Sequence, residues 1–460
     1  MKKNDNTNEL KHYLSPVGAW ALSFGCAVGW GAFVMPGTVF LPLAGPWGTF
    51  IGMAIGGLVM FVIGVNYHFL MNRYPDCGGT FAYTKKEMGY DHGFLSTWFL
   101  ALVYIAIIWA NATSIPLITR KLFGGTFQFG FHYEFAGFDV YLGETLLSMG
   151  AIAIAACVCI YGGRYTAWIM TAMVAVMIGG ILVCAAGVFC AGGVALDSLS
   201  PGFLPDKGMF GQVFRIITLA PWAYVGFESV AHSSEEFTFP MKWSLLVMAA
   251  ALVTGVAAYG LLALMAAAVV PDGYADWQAY VADIDNLDGL LGMPTMHTVS
   301  TVMGQGGIVC LGLAAGCAIM TGLVGNTVAG SRLIYALARD NMLPKQFAVL
   351  NKNNVPARVI AVVALASLPV PLLGRSAIGW IIDVNSIGAT IAYAYTSAVA
   401  YHAAVKENRT DIKITGAVGF LISILFTLYF LIPNIWSVSV LAPESYMILV
   451  LWSMLGFFFF

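Results

Sequence analysis

The chain has 460 residues, 59% of them hydrophobic and 10% charged, with a formal net charge of −2. Ordinary soluble domains carry about 25% charged residues, so this composition excludes a soluble globular protein; the net charge says little, because in a membrane protein the placement of Lys and Arg matters more than their sum, and no nucleic acid is expected as a partner. What remains is a chain whose solvent is the lipid bilayer.

Apolar stretches of about 20 residues, long enough to cross a ~30 Å hydrocarbon core, recur along the sequence. They fall at 17–43, 46–70, 93–118, 143–162, 166–193, 210–237, 243–270, 300–337, 357–373, 378–403, 414–433 and 443–460. The expected fold is all-α, a polytopic membrane protein with twelve transmembrane helices, the eighth continuing beyond the bilayer. Residues 1–14 are polar, lack a cleavable signal sequence and read as a cytoplasmic tail. With that tail inside, the inner segments hold sixteen of the 21 basic residues and the outer ones Arg120, Lys121, Lys207, Arg215 and Arg375. This asymmetry places both termini in the cytoplasm, most simply of a plasma (cell) membrane. The eight cysteines lack CxxC spacing and read as small buried hydrophobes, with no metal or cofactor site expected.

Span 1 contains Gly29-Trp30-Gly31 with Pro36-Gly37 beyond it, a pattern that interrupts a helix. The face Tyr104, Ile108, Asn111 of span 3 has helical spacing. Span 5, from Ala167 to Phe189, has no Lys or Arg. Span 6 holds Leu219 to Glu236, in which Pro221 and Gly226 break the helix beside the carboxylate Glu228. Broken backbone at membrane depth persists only when buried in protein or lining a wet cavity. Two such breaks five spans apart point to a 5+5 inverted repeat with broken helices 1 and 6 and a site between the halves. The implied units are the tail 1–14, a first repeat 15–193 (spans 1–5), a second repeat 194–405 (spans 6–10) and accessory spans 11–12 (406–460). Gly56-Gly57 and Gly179-Gly180 read as helix-packing glycines only.

Glu228 and Asp383 are the two acidic residues well inside apolar spans, where a carboxylate costs roughly 2.5–3.5 kcal/mol and is a functional candidate by default. Glu228 can titrate during transport or form a structural hydrogen bond to the facing repeat. Asp383 and Asn385 lie in the first half of span 10, and Asp383 either meets the distal part of a ligand or faces outer water. Glu235 and Glu236 close span 6 as gating or solvated groups. The loop 272–288 carries five aspartates without EF-hand spacing and reads as an exposed outer loop. The histidines are scattered, with His68 and His402 nearest the spans. The chain ends in four phenylalanines with no basic tail, the pattern of a longer protein cut short.

Gly29-Trp-Gly-Ala-Phe-Val-Met-Pro-Gly37 is similar to the Gly-Ser-Gly-Ile-Phe-x-x-Pro-Gly of span 1 in the amino acid-polyamine-organocation (APC) family of permeases. Trp222-Ala-Tyr-Val-Gly-Phe-Glu228 resembles its span 6 motif, Tyr74-Pro75 through Gly78-Gly79 to Tyr83 its loop after span 2, and Ser331-Arg332 through Pro344 its loop after span 8. The resemblance implies that backbone amides around Trp30 and Gly31 hold a substrate carboxylate. It likewise implies that carbonyls of Ala27, Trp222 and Val225 hold the amino group, with Gly29 opening the break. Tyr104, Ile108, Asn111, Asn326 and Trp222 would line the substrate, Asp383 or Asn385 would meet its distal part, and Glu228 would serve coupling or gating. Trp30 departs from the small residue usual there and shrinks the pocket.

The expected function is secondary active transport of an amino acid by alternating access, coupled to a proton, sodium or a counter-substrate. The alternative is a membrane nutrient sensor that binds an amino acid or polyamine without net transport. An intramembrane enzyme would need a nucleophile-base pair or metal ligands on facing spans, which the sequence does not supply.

Overall fold

A computed structural model describes residues 10–192, 194, 199–205, 207–432 and 441–460. The first nine residues of the predicted tail and position 193, where the first repeat was expected to end, lie outside the described residues.

The chain begins with α1 (Pro16–Ala27), capped by Ser15, whose Oγ accepts from the Gly18 amide at 3.1 Å. Helix α2 (Gly31–Met35) runs through a π-helical turn at Pro36–Phe40 into α3 (Leu41–Arg73). Helix α3 kinks where Gly45 takes φ +66° ahead of Pro46, so predicted spans 1 and 2 are separated by this kink and not by a loop. Helices α4 (Thr80–Met88), α5 (Tyr90–Phe123), α6 (Leu142–Tyr161) and α7 (Gly163–Ala186) follow. Predicted span 6 becomes α8 (Met209–Ile217), α9 (Ala220–Ala223) and a 3-10 segment, Phe227–Glu236. The remainder is α10 (Ser244–Ala268), α11 (Trp277–Ala282), α12 (Pro294–Arg339), α13 (Ala357–Ser367), α14 (Ala377–Lys406), α15 (Thr410–Leu431) and α16 (Pro443–Phe459).

Two expectations need correction. The fold is nearly all-α: β1 (His132–Phe135) and β2 (Phe138–Tyr141) form a short antiparallel hairpin in the α5–α6 connection. The aspartate-rich loop is not wholly exposed, because Asp276 caps α11, and Trp277 is buried with its indole N–H donating to Pro201 O at 3.0 Å.

Among the described residues, eight helical stretches are long and apolar enough to cross a bilayer, while Pro16–Ala27, Ala357–Ser367 and Pro443–Phe459 are shorter. Large apolar side chains such as Ile154, Trp168, Leu182, Val253 and Leu313 point outward, the inside-out pattern of a helix surface that meets lipid. The chain is an integral membrane protein.

Interior packing uses close backbone approach. A Cβ on Gly56 would lie 2.7 Å from Ala220 Cβ, one on Gly57 would lie 2.7 Å from Val256 Cγ2, and one on Gly180 would lie 2.9 Å from Ala314 Cβ. Gly179 has open space around it and does not share that role. Helix α16 docks on α5 through Trp98 and Trp452, whose rings stack at 4.7 Å while each indole N–H donates to the other's carbonyl at 2.9 and 3.0 Å.

Candidate functional site

Helix α1 stops because Val28 is extended (φ −100°, ψ 102°), its amide turning back to Phe24 O at 2.9 Å. The chain re-enters helix with Ala32 N bonded to Gly29 O at 3.2 Å and Phe33 N to Trp30 O at 3.0 Å. In the second break α9 ends with Tyr224 N bonded to Ala220 O at 3.0 Å, and Gly226 then takes φ +105°. The two breaks touch. A Cβ on Gly226 would sit 2.8 Å from Cys26 Cβ and 3.0 Å from Cys26 O, so both the backbone angle and the space require glycine. Helix ends leave amides at the start and carbonyls at the finish without intrahelical partners, and here both kinds meet in one place.

Side chains from neighbouring helices close around this junction. Asn111 of α5 donates through Nδ2 to Ile107 O at 2.9 Å and presses on both Gly29 and Gly322, whose added Cβ atoms would lie 2.8 and 2.7 Å from its Oδ1. Asn326 of α12 donates through Nδ2 to Cys26 O at 3.3 Å and Gly322 O at 2.8 Å. Because both nitrogens are committed to carbonyls, the Oδ1 atoms are the free ends, and neither has a hydrogen-bond partner among the described residues. Asn385 Oδ1 is likewise buried and unpartnered. Ile108 is buried on the same face of α5.

Gly31 lies under Trp222: a Cβ there would be 2.8 Å from the indole Cζ2. Above Trp222, on the side of the β-hairpin, a cavity of about 380 Å³ is lined by Met35, Thr38, Arg215, Trp222, Asp383 and Ser386 among others. Asp383 accepts from Ser445 Oγ at 2.8 Å. Trp222 therefore both lines this cavity and packs against Gly31.

Glu228 is wholly buried. Its Oε1 accepts from Tyr104 OH at 3.1 Å, and its Oε2 accepts from Tyr393 OH at 3.0 Å and from Gly226 N at 2.9 Å. Three donors on α5, α14 and the break satisfy a carboxylate at membrane depth, the condition for burying such a group at tolerable cost. Tyr104 thus reaches Glu228.

The opposite end of the bundle is closed. Glu236 pairs with Arg332 at 3.0 Å, and both side chains are 1% exposed. Tyr13 OH donates to Glu236 Oε2 at 3.0 Å, and the amides of Tyr13 and Leu14 both donate to Glu236 O at 2.9 Å. Glu235 pairs with Arg339 at 3.0 Å, which also holds Asp76 at 2.9 Å. Glu236 is therefore not a solvated group; it is buried, as is Glu144, which pairs with Arg120 at 2.6 Å, whereas Asp383 is only partly buried. At the end of α4, burial pushes the Glu87 carboxyl up, but hydrogen bonds from Lys406, Tyr74 and His402 outweigh it and hold the group at about 2. A charged Glu87 staples α4 to α14.

Sequence reading missed Tyr393, Tyr13 and His232. Tyr393 and Tyr13 meet their partners 165 and 223 residues away, which no local pattern signals. His232 is wholly buried in the 3-10 segment, contrary to the expectation that His68 and His402 lay nearest the spans. Its signal was available, four residues beyond Glu228 in the same run.

The sequence model of the amino acid permease family matches residues 14–460. The chain belongs to the amino acid permease family. Among relatives, it is 23% identical over 407 residues to the branched-chain amino acid permease of Lactococcus lactis subsp. cremoris, covering 85% of this chain and 82% of the relative. It is 27% identical over 365 residues to the methylthioribose transporter of Bacillus subtilis, covering 77% and 73%. It is 25% identical over 413 residues to cationic amino acid transporter 4 of Mus musculus, covering 86% of this chain and 60% of that longer protein. In this permease the break in span 1 packs Gly31 against Trp222 and Gly29 against Asn111.

Proposed function

We propose that the chain is a secondary active transporter that moves an amino acid across a cell membrane by alternating access. It crosses twelve times with both termini cytoplasmic. Spans 1–5 (15–193) and 6–10 (194–405) form an inverted repeat, and spans 11–12 (406–460) are accessory. The observation that carries this reading is the contact between Gly226 and Cys26, because two broken helices meeting at one depth supply peptide dipoles in place of water. Amides near Trp30 and Gly31 receive the substrate carboxylate, and carbonyls of Ala27, Trp222 and Val225 receive its ammonium. Tyr104, Ile108, Asn111, Asn326 and Asn385 line the remainder, and Asp383 in the vestibule favours a cationic distal group. The vestibule above Trp222 is the outer one and the Glu236–Arg332 layer the closed cytoplasmic face. Two of the named relatives carry amino acids in their names and the third methylthioribose, so the amino acid class rests on the family model and those two, and no single substrate is favoured.

Uptake and exchange of labelled amino acids in proteoliposomes, with and without sodium, test this. Ligand binding without uptake or exchange would favour the sensor reading. Glu228→Gln is expected to flatten the pH dependence of transport while affinity changes less, since the amide keeps the volume but cannot titrate. An unaltered pH profile would return Glu228 to a structural role.

A further inference from the structure

Between Glu228 and the ion-paired layer lies one imidazole to which the substrate reading gives no work. The Nδ1 of His232 is 3.3 Å from Cys77 O. A carbonyl can only accept, so Nδ1 carries the proton and Nε2 bears the lone pair. That Nε2 is buried and has no hydrogen-bond partner among the described residues. The protein holds a base inside the membrane with nothing to accept from, and a buried polar atom left in that condition points to a ligand or to chemistry.

The surroundings say which. From α5, Tyr104 sets its ring 5.4 Å from the imidazole at 83°, while its hydroxyl donates to Glu228. Glu228 stands on the same 3-10 segment, four residues closer to the junction. From the 76–79 turn, Gly79 (φ +52°) leans on the ring so closely that a Cβ would lie 2.6 Å from its Cε1. Cys77, whose carbonyl holds Nδ1, donates its amide to Glu235 Oε1 at 3.1 Å, and Glu235 shares Arg339 with Asp76. The groups that touch the imidazole are therefore Tyr104, Cys77 and Gly79, with Glu228 joined to it through the Tyr104 hydroxyl and Glu235, Asp76 and Arg339 one layer further out.

Resting on the transporter reading above, we propose that His232 is the inner proton acceptor of the cycle. The Glu228 carboxylic acid gives up its proton and becomes a carboxylate. Water admitted between the two side chains carries that proton to His232 Nε2, which becomes an imidazolium. When the 76–79 turn parts from the ring, water takes the proton and the neutral imidazole returns. Water from the opposite face then reprotonates the Glu228 carboxylate, so that one proton crosses per cycle and no electrons change hands. The turn thus couples opening of this face to proton release.

The test uses the full chain in proteoliposomes, with labelled leucine or labelled arginine as the probe, whichever the wild-type protein exchanges. His232→Asn places an amide nitrogen where Nδ1 stood, so the bond to Cys77 O persists while the base is gone. The expected result is exchange at equal pH on both sides together with complete loss of accumulation driven by an alkaline interior. His232→Gln is the second variant, with the same expectation if His232→Asn does not reach the membrane. Gradient-driven accumulation at the wild-type level in either variant would overturn the proposal. A wild-type protein that exchanges but ignores the pH gradient would overturn it too, and would leave the transporter reading standing. Absence of wild-type exchange would remove both.

Discussion

Gly31→Leu is expected to abolish substrate binding while the protein still inserts and folds. A Cβ at position 31 would already lie 2.8 Å from Trp222 Cζ2, well inside van der Waals contact, and three further carbons cannot be accommodated without expelling the indole. Overpacking of this kind costs about 1–3 kcal/mol where the neighbour can yield. Here the neighbour covers the amides proposed to hold the carboxylate, so the side chain takes the ligand's place as well. A loss of at least about 100-fold in affinity, ~2.7 kcal/mol, is the expected scale. Thermal-shift titration of the purified variant checks it, with a cooperative melting transition in the absence of ligand, lowered only by that packing cost, as the sign that the fold survives. Affinity within a few-fold of the wild type would mean that the carboxylate binds elsewhere.

Arg332→Met is expected to be the most damaging single change to stability. Both members of the Arg332–Glu236 pair are withdrawn from solvent, and removing one partner of a buried pair leaves an uncompensated charge at a cost of about 3–5 kcal/mol. Tyr13 and the Leu14 amide would still hold Glu236, but neither neutralises it. The double variant Arg332→Met with Glu236→Leu should recover most of the loss, because an apolar pair of similar volume is often as stable as the ions it replaces. Melting temperatures of the two variants in one detergent decide the matter. A single variant as stable as the wild type would show that the layer is not held by this pair.

The helix breaks were legible because glycine and proline together inside an apolar run remove the backbone restraint and the amide donor on which a continuous helix depends. Glu228 was legible because an isolated carboxylate at that depth is costly. The buried pair was not. Glu236 and Arg332 are 96 residues apart, each looks like an ordinary charge at the end of a span, and only tertiary contact cancels the two. The 132–141 hairpin was missed because its strands are four residues each, too short for alternation to stand out. The 3-10 winding of Phe227–Glu236 has no local signature, and the segment packs against α1, α12, α10 and α3, contacts made at long sequence range. His232 was legible, an ionisable residue inside the predicted span 210–237 and four residues beyond Glu228, and was passed over.

The claim underlying this account is that peptide groups at two touching breaks hold both ends of an amino acid. Its most direct test takes the best-binding amino acid and compares its affinity with that of its methyl ester and its N-acetyl derivative, by titration on the purified wild-type protein. Hydrogen bonds to charged groups contribute about 1.5–3 kcal/mol each, so each derivative should bind about 10- to 100-fold more weakly. If either derivative binds as tightly as the parent, the corresponding end of the substrate does not rest on the broken helices, and the site lies elsewhere.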